Sequence, residues 1–186
     1  MTQASEMAVR EIIRMGHPTL RKVARKLRAE EVVGREIRTL VDDMVDTLHA
    51  AGGIGLAAPQ INESVQLAII QIPELGSRYG VLEELPLTVF VNPEISVVAD
   101  AESAGNWEGC LSVPGLRGWV ERPQHIKLLY LDLDGVQHAR EFTGFHATVC
   151  QHELDHLTGH LFVDRMTDMT KLVFEDLLVP EDAYPD

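Results

Sequence analysis

His152, Glu153 and His156 stand in the run Gln151-His152-Glu153-Leu154-Asp155-His156-Leu157-Thr158-Gly159, which contains the pattern His-Glu-x-x-His. On an α-helix, residues four apart share a face, so the two imidazoles can point at one metal ion. Glu153 lies about 100° around the same helix, within reach of a water held by such an ion. The chemistry this suggests is metal-assisted hydrolysis, with the carboxylate moving the proton of an activated water. A catalytic ion of the zinc type usually takes three protein ligands and keeps one position open. A metzincin-like arrangement would need a histidine three residues after Gly159, where the chain has Phe162. A thermolysin-like arrangement would use a downstream carboxylate, and Glu175 and Asp176 fall in that window. Cys110, within Glu108-Gly109-Cys110-Leu111-Ser112, offers a thiolate instead. His160 is a poor ligand, because on a continued helix it would lie about 12 Å along the axis from His152. On residue types alone the thiolate and the carboxylates both remain open.

Several elements must position these groups. From Glu31 to Ala50 the apolar residues Val33, Ile37, Leu40, Val41, Met44, Val45 and Leu48 recur at three- and four-residue spacing, which predicts an amphipathic helix stopped by Gly52-Gly53. His49 near its end suits the helix dipole and reads as structural. The run Gly53-Ile54-Gly55-Leu56-Ala57-Ala58-Pro59-Gln60 is rich in small residues, which allow close approach to the backbone. Residues 65–72 read as a buried strand, 73–88 as a long loop, and Val89-Phe90-Val91 and 95–99 as short strands. A glycine-rich stretch follows at 105–118. Residues 125–132 and 136–142 read as a hairpin turning at Asp134-Gly135. The helix bearing the histidines runs from about Gly144 to Leu157 and closes at Gly159. A short amphipathic segment, 170–178, precedes an acidic tail from about 179. The predicted class is α+β: antiparallel strands packed around a central metal-site helix, with an additional N-terminal amphipathic helix.

The 186 residues are expected to form one catalytic domain. A net charge of −13 argues against general affinity for nucleic acid or anionic membranes. No window reaches the ~18 apolar residues of a membrane span, and the opening lacks the apolar core of a secretory signal. A cytoplasmic address is expected. In that compartment Cys110 and Cys150 are not expected to pair; Cys150 reads as a packed core thiol.

The three stretches 53–60, 108–112 and 151–159 resemble, in the same order, the signature motifs of the peptide deformylases. Gly16-His17-Pro18-Thr19-Leu20-Arg21 resembles the family's opening, and the likeness spans roughly residues 10–165. It implies a hydrolase that removes the formyl group from N-terminal formyl-methionine of nascent chains. It implies Cys110, His152 and His156 as metal ligands, Glu153 as the acid–base residue, and Gln60 and the Leu111 backbone amide as oxyanion donors. An uncharged Gln60 suits that role, since a carboxylate would repel the developing charge. Glu108 and Arg122 read as a supporting pair. Phe145 and Val149 share a helical face with His152 and His156 and would border a methionine pocket, with Ile54 and Gly109 joining them by resemblance. Gly53 and Gly55 would permit a substrate peptide to pair with the backbone like an added strand, and Arg117 would contact that backbone. Ligand type alone suits Zn²⁺, whereas the resemblance implies Fe²⁺, with Zn²⁺, Ni²⁺ or Co²⁺ able to substitute. The acidic ending lacks the basic docking helix of some bacterial relatives, so ribosome proximity without stable docking is expected.

Overall fold

The computed structural model of the chain describes residues 8–73 and 83–178. A short helix, α1 (Ala29–Val32), leads into α2 (Arg35–Ala51). Ile37, Val41, Met44 and Leu48 form the buried stripe of α2, as their spacing requires. The helix ends at Gly52, whose φ of 64° is left-handed and whose N–H turns back to the carbonyls of Leu48 and His49. The helix starts later than the apolar periodicity suggests. The chain breaks at Val33, which is 50% exposed, and restarts from Gly34 as N-cap.

The strands follow as β1 (Gly55–Ala57), β2 (Leu67–Ile72), β3 (Leu85–Val97), β4 (Ser103–Cys110), β5 (Val113–Pro123), β6 (His125–Leu131) and β7 (Gln137–Thr143). Helix α3 (Gly144–Leu157) comes next, and β8 (Leu172–Phe174) is last. One sheet has the order β1-β2-β3-β6-β7 and the other β4-β5-β8, and every pairing between these strands is antiparallel.

The five-stranded sheet is covered on both faces at β1 and β2, which explains why β2 is a continuous apolar run, whereas β6 alternates and β7 is largely exposed. Leu67 and Ile69 point into the cluster that holds Val41, Met44 and Leu48 of α2. Ala68, Ile70 and Ile72 point the other way, into the cluster that holds Ala147, Cys150, Leu154 and Leu157 of α3. Cys150 is fully buried there as a packing residue. On its other side α3 meets the second sheet and a turn at Phe162–Arg165. Every residue from Ala147 to Leu157 is therefore buried, polar ones included.

One expectation needs correction, and two stretches without an assigned state acquire one. β3 is a single strand beginning at Leu85, not a loop to Thr88 followed by two short strands. Its apolar pattern is interrupted where Asn92 takes φ 48° and the register to β6 shifts between Val91 and Glu94. Asn92 satisfies itself by accepting from the Leu27 N–H and donating to the Leu27 carbonyl, each at 2.8 Å. The rest of that loop, residues 74–82, lies outside the described residues, as does the acidic stretch from 179. The glycine-rich stretch 105–118 is largely strand: Trp107 and Trp119 are cross-strand partners with rings 5.6 Å apart, and Gly105 leaves room for the Trp119 indole. The segment 170–178 contributes β8, which pairs with the edge of β5.

Among the described residues no helix is long and apolar enough to cross a membrane. The exit from α3 is tight. Gly159 has φ 78°, and a Cβ there would fall 2.8 Å from the backbone carbonyl carbon of Arg21. Gly159→Ala should therefore lower unfolding stability by about 2 kcal/mol, combining left-handed strain with the backbone clash. The check is the urea midpoint at unchanged m-value.

Candidate metal centre

α3 places His152 and His156 one turn apart with ring centroids 5.2 Å from each other. Both are buried. The third donor arrives from the other sheet: Cys110 ends β4, and its Sγ lies 3.4 Å from Nε2 of His156. One ligand atom from each of Cys110, His152 and His156 lies within 4.8 Å of the others. Ions of the zinc type set tetrahedral sulfur and nitrogen ligands about 3.5 Å apart, so the 3.4 Å edge fits a shared cation. The donor set fits too, one soft thiolate with two imidazoles. The carboxylate alternative fails on position. Glu175 follows β8 and sits on Arg117, not on the histidines.

A register shift explains how β4 delivers its residues. Glu108 faces Gly118, yet Cys110 faces Val113, and Gly115 in the longer opposing segment has φ 76°. Such irregularities bend a strand and re-aim its side chains. Glu108 and Cys110 both reach α3. Glu108 Oε2 lies 2.8 Å from His152 Nδ1, which leaves the other ring nitrogen for the cation. Behind Glu108, Arg122 donates through Nε at 2.5 Å to Oε1 and through Nη2 at 3.0 Å to Oε2. Arg122 Nη1 also reaches Asp155 Oδ2 at 2.9 Å. Arg165 closes the far end of the chain, donating through Nε to the Asp155 carboxylate at 3.1 and 3.2 Å. Asp155 and Arg165 carry no chemical signature of their own in the sequence. Only the i, i+3 and i−1 relation of Asp155 to the histidines hinted at a shared role.

The electrostatics follow from this arrangement. Burial alone would raise the Glu108 carboxyl, but hydrogen bonds from His152 and Arg122 outweigh it and hold the pKa at about 2. Burial also disfavours a charged His152, yet hydrogen bonds to Cys110 and Glu108 raise it well above the usual histidine value. Burial, reinforced by the neighbouring His152, pushes His156 well below. Glu153 is raised to about 7, chiefly by burial. Its Oε2 has no hydrogen-bond partner among the described residues, and neither has His156 Nδ1. Buried carboxylate oxygens are rarely left so, and this one belongs beside a proton or a cation.

The remaining residues named from sequence are distributed as follows. Gln60 is 2% exposed; its Oε1 accepts from the Ala57 N–H at 2.9 Å. Its Nε2 is thereby turned toward Cys110 Sγ at 3.4 Å and Ser112 Oγ at 3.3 Å. Ile54, Gly55, Gly109, Leu111, Phe145 and Val149 all line one cleft, partly open to solvent, together with Gln60, His152 and Glu153. Asn106, Trp107 and Thr148 line it too, and the sequence reading did not single them out. Gly55 has a second constraint: a Cβ there would come 2.4 Å from Glu153 Oε1, so its bareness makes room for the carboxyl group. Arg117 lines an adjoining groove rather than the cleft itself.

Comparison with known proteins places this geometry. The family model for polypeptide deformylase matches residues 9–172. Peptide deformylase 2 of Pseudomonas syringae pv. tomato is 44% identical over 93% of this chain and 96% of its own length. A peptide deformylase of Leptospira biflexa is 42% identical over 89% of this chain and 92% of its own. Among solved structures, the Met-Ala-Ser-bound class I type b peptide deformylase of Acinetobacter baumannii superposes with a TM-score of 0.82 at 37% identity, covering 87% of this chain and all (100%) of that one. The peptide deformylase of Thermotoga maritima gives 0.75 at 30% identity, covering 86% and 99%.

Glu108 is the hinge between the ion-pair chain and the histidine. Glu108→Gln keeps its shape but removes the charge that Arg122 and His152 both engage. Metal affinity is expected to fall about 10- to 100-fold, measured by competition with a chelator, with the far-ultraviolet circular dichroism unchanged.

Proposed function

The chain belongs to the polypeptide deformylase family, and from that premise we propose that Cys110, His152 and His156 hold one divalent cation beside which Glu153 moves the proton of formyl hydrolysis. The enzyme is a hydrolase that removes the formyl group from the N-terminal formyl-methionine of newly made polypeptides and releases formate. The observation that carries the site assignment is the meeting of Cys110 Sγ and His156 Nε2 at 3.4 Å, next to a buried carboxyl oxygen without a partner. We take residues 1–186 as a single catalytic domain.

A cation held there supplies Lewis acidity, lowering the pKa of a coordinated water and polarising the formyl oxygen. Glu153 accepts the proton of the attacking water and delivers it to the departing amine as the C–N bond breaks. Its pKa of about 7 in the buried site suits a group that must do both. Gln60 Nε2 and the Leu111 N–H donate to the oxygen that gains charge at the formyl carbon, and one such donor is worth about 3 kcal/mol of barrier. The Gln60 orientation supports this role, because the bond from Ala57 to its Oε1 leaves only the NH₂ facing the site. Ile54, Phe145 and Val149 form an apolar wall for an unbranched methionine side chain. Gly53 and Gly55 let a peptide backbone approach, Gly109 borders the pocket, and Arg117 stands at the downstream end.

Ligand chemistry leaves several metals possible, and we assign Fe²⁺ in the cell, with Zn²⁺, Ni²⁺ or Co²⁺ able to substitute. We place the work on nascent chains in the cytoplasm, close to the ribosome but without a firm RNA contact, which the net charge of −13 supports. A neutral metalloprotease is not favoured, because neither Glu175 nor Asp176 joins the histidines in the cluster formed among the described residues, and Glu175 is engaged on Arg117.

Formate release from formyl-Met-Ala-Ser under anaerobic conditions, with metal measured on the same sample, tests this reading. Cys110→Ser should lose the metal and the activity together. Glu153→Gln should keep metal and peptide binding while kcat falls about 10³-fold; full activity in that variant would remove Glu153 from its role. Protein prepared without oxygen should contain iron and lose turnover in air, and reloading with Ni²⁺ should restore it. An air-stable zinc form of equal activity would overturn the iron assignment.

A further inference from the structure

Two alternate residues near the start of the chain reach the site from behind the cleft. The Ile13 N–H donates to the Gln60 carbonyl at 2.8 Å, and the Met15 N–H donates to the Ser112 carbonyl at 2.7 Å. Gln60 and Ser112 are both buried and also meet through their side chains, Gln60 Nε2 lying 3.3 Å from Ser112 Oγ. One arm of backbone therefore spans the two segments that carry the proposed oxyanion donors, Ala58–Ile61 with the Gln60 amide and residues 110–112 with the Leu111 N–H. The arm is itself tied down at both ends. The Arg10 N–H donates to Thr47 Oγ1 at 2.9 Å, and its guanidinium reaches Asp43 at 3.0 Å and Glu63 at 2.9 Å. Ile12 packs against the cluster that holds Leu56, Ala58 and Ile61. At the far end the His17 N–H donates to the Arg14 carbonyl at 3.0 Å, closing a turn with Gly16 at φ 107° in its third position.

We propose that the backbone N–H groups of Ile13 and Met15 are positioning groups for the reaction: they clip Gln60 to Ser112 and so hold the Gln60 amide where the formyl oxygen gains charge. The proposal rests on the deformylase reading above. The contacts of Gln60 Nε2 within the site are long, 3.4 Å to Cys110 Sγ and 3.3 Å to Ser112 Oγ, whereas the two bonds from the arm are short. A donor stabilises a developing charge only where that charge forms, and a misplacement of about 1 Å can cost about 100-fold in rate. Met15→Pro isolates one clip. Proline lacks the N–H, and it is favoured in the second position of a turn whose third residue is a glycine at positive φ. The turn is kept and the donation to Ser112 is lost. Met15→Ala keeps the N–H and removes a side chain that is 45% exposed.

The test measures formate release from formyl-Met-Ala-Ser by the metal-loaded protein, together with inhibition by the product Met-Ala-Ser, which lacks the formyl oxygen. Met15→Pro should lower kcat about tenfold, while KM, the inhibition constant of the product and the bound metal stay within about twofold of wild type. Met15→Ala should match wild type throughout. In a Gln60→Ala background Met15→Pro should change kcat by less than about twofold, because the group it positions is gone. A purely structural clip would lower the urea midpoint and leave kcat of the folded protein unmoved, and that result overturns the proposal. An equal fall in kcat with and without Gln60, or a loss carried by KM, also overturns it and leaves the deformylase reading standing. Should Met15→Pro fail to fold by circular dichroism, the α-hydroxy acid analogue of Met15, which replaces the N–H by an ester oxygen and keeps the side chain, carries the same expectations. No formate from the metal-loaded wild type overturns both readings.

Discussion

The guanidinium of Arg122, closed off from water between Glu108 and Asp155, is the interaction on which the rest of the site depends. Buried charges are tolerable only when paired and hydrogen-bonded, and here each partner lies on a different element: β4, β5 and α3. Satisfying Arg122 therefore fixes the distance between the strand that bears Cys110 and the helix that bears the histidines. Glu108 is two residues from Cys110, and Asp155 is the residue before His156. Arg165, from the turn after α3, completes the Asp155 carboxylate and ties down the far side. Removing one partner would leave an unpaired charge in the interior, so the arrangement resists gradual distortion.

That satisfied lattice makes the unsatisfied atoms informative. α3 is buried along its last three turns, yet it carries Gln151, His152, Glu153, Asp155 and His156. Gln151 donates to the carbonyls of Pro123 and Ala147, and Asp155 and His152 have the partners described above. Glu153 Oε2 and His156 Nδ1 have none among the described residues. A helix that meets nearly every polar demand and leaves a carboxyl oxygen open over a cleft has kept that group for chemistry.

The two sheets divide the labour. The five-stranded sheet, apolar on both faces at β1 and β2, supports α3 on one side and α2 on the other. The smaller sheet carries the irregular residues: the register shift before Cys110, the left-handed Gly115, and the added strand β8 that brings Glu175 to Arg117. These irregularities of the smaller sheet aim its residues at the cleft, whereas the break at Asn92 in β3 is tied down by Leu27.

Local features of the chain were legible without a structure. The period of 3.6 on α2, the four-residue spacing of His152 and His156, and the Asp134-Gly135 hairpin depend only on residues near one another. The α+β class followed from them, and the motifs around Gly53, Glu108 and His152 pointed to the cleft. Less legible were β4 and β5, whose glycines make room for Trp119, Arg117 and Met166 rather than for a loop, and the break in β3 at Asn92. Residue types left the third donor open and the motif likeness implied Cys110; the tertiary structure brings that thiol to His156 from 46 positions away, whereas Glu175 sits on Arg117. The tertiary structure also decided that Arg122 is shared by Glu108 and Asp155, and that Arg117 belongs with Glu175. Helical and strand periodicity is set by backbone sterics within a few residues. The meeting of a strand end, a helix face and a late edge strand is set by which buried charges can be paired, and that has no local signature.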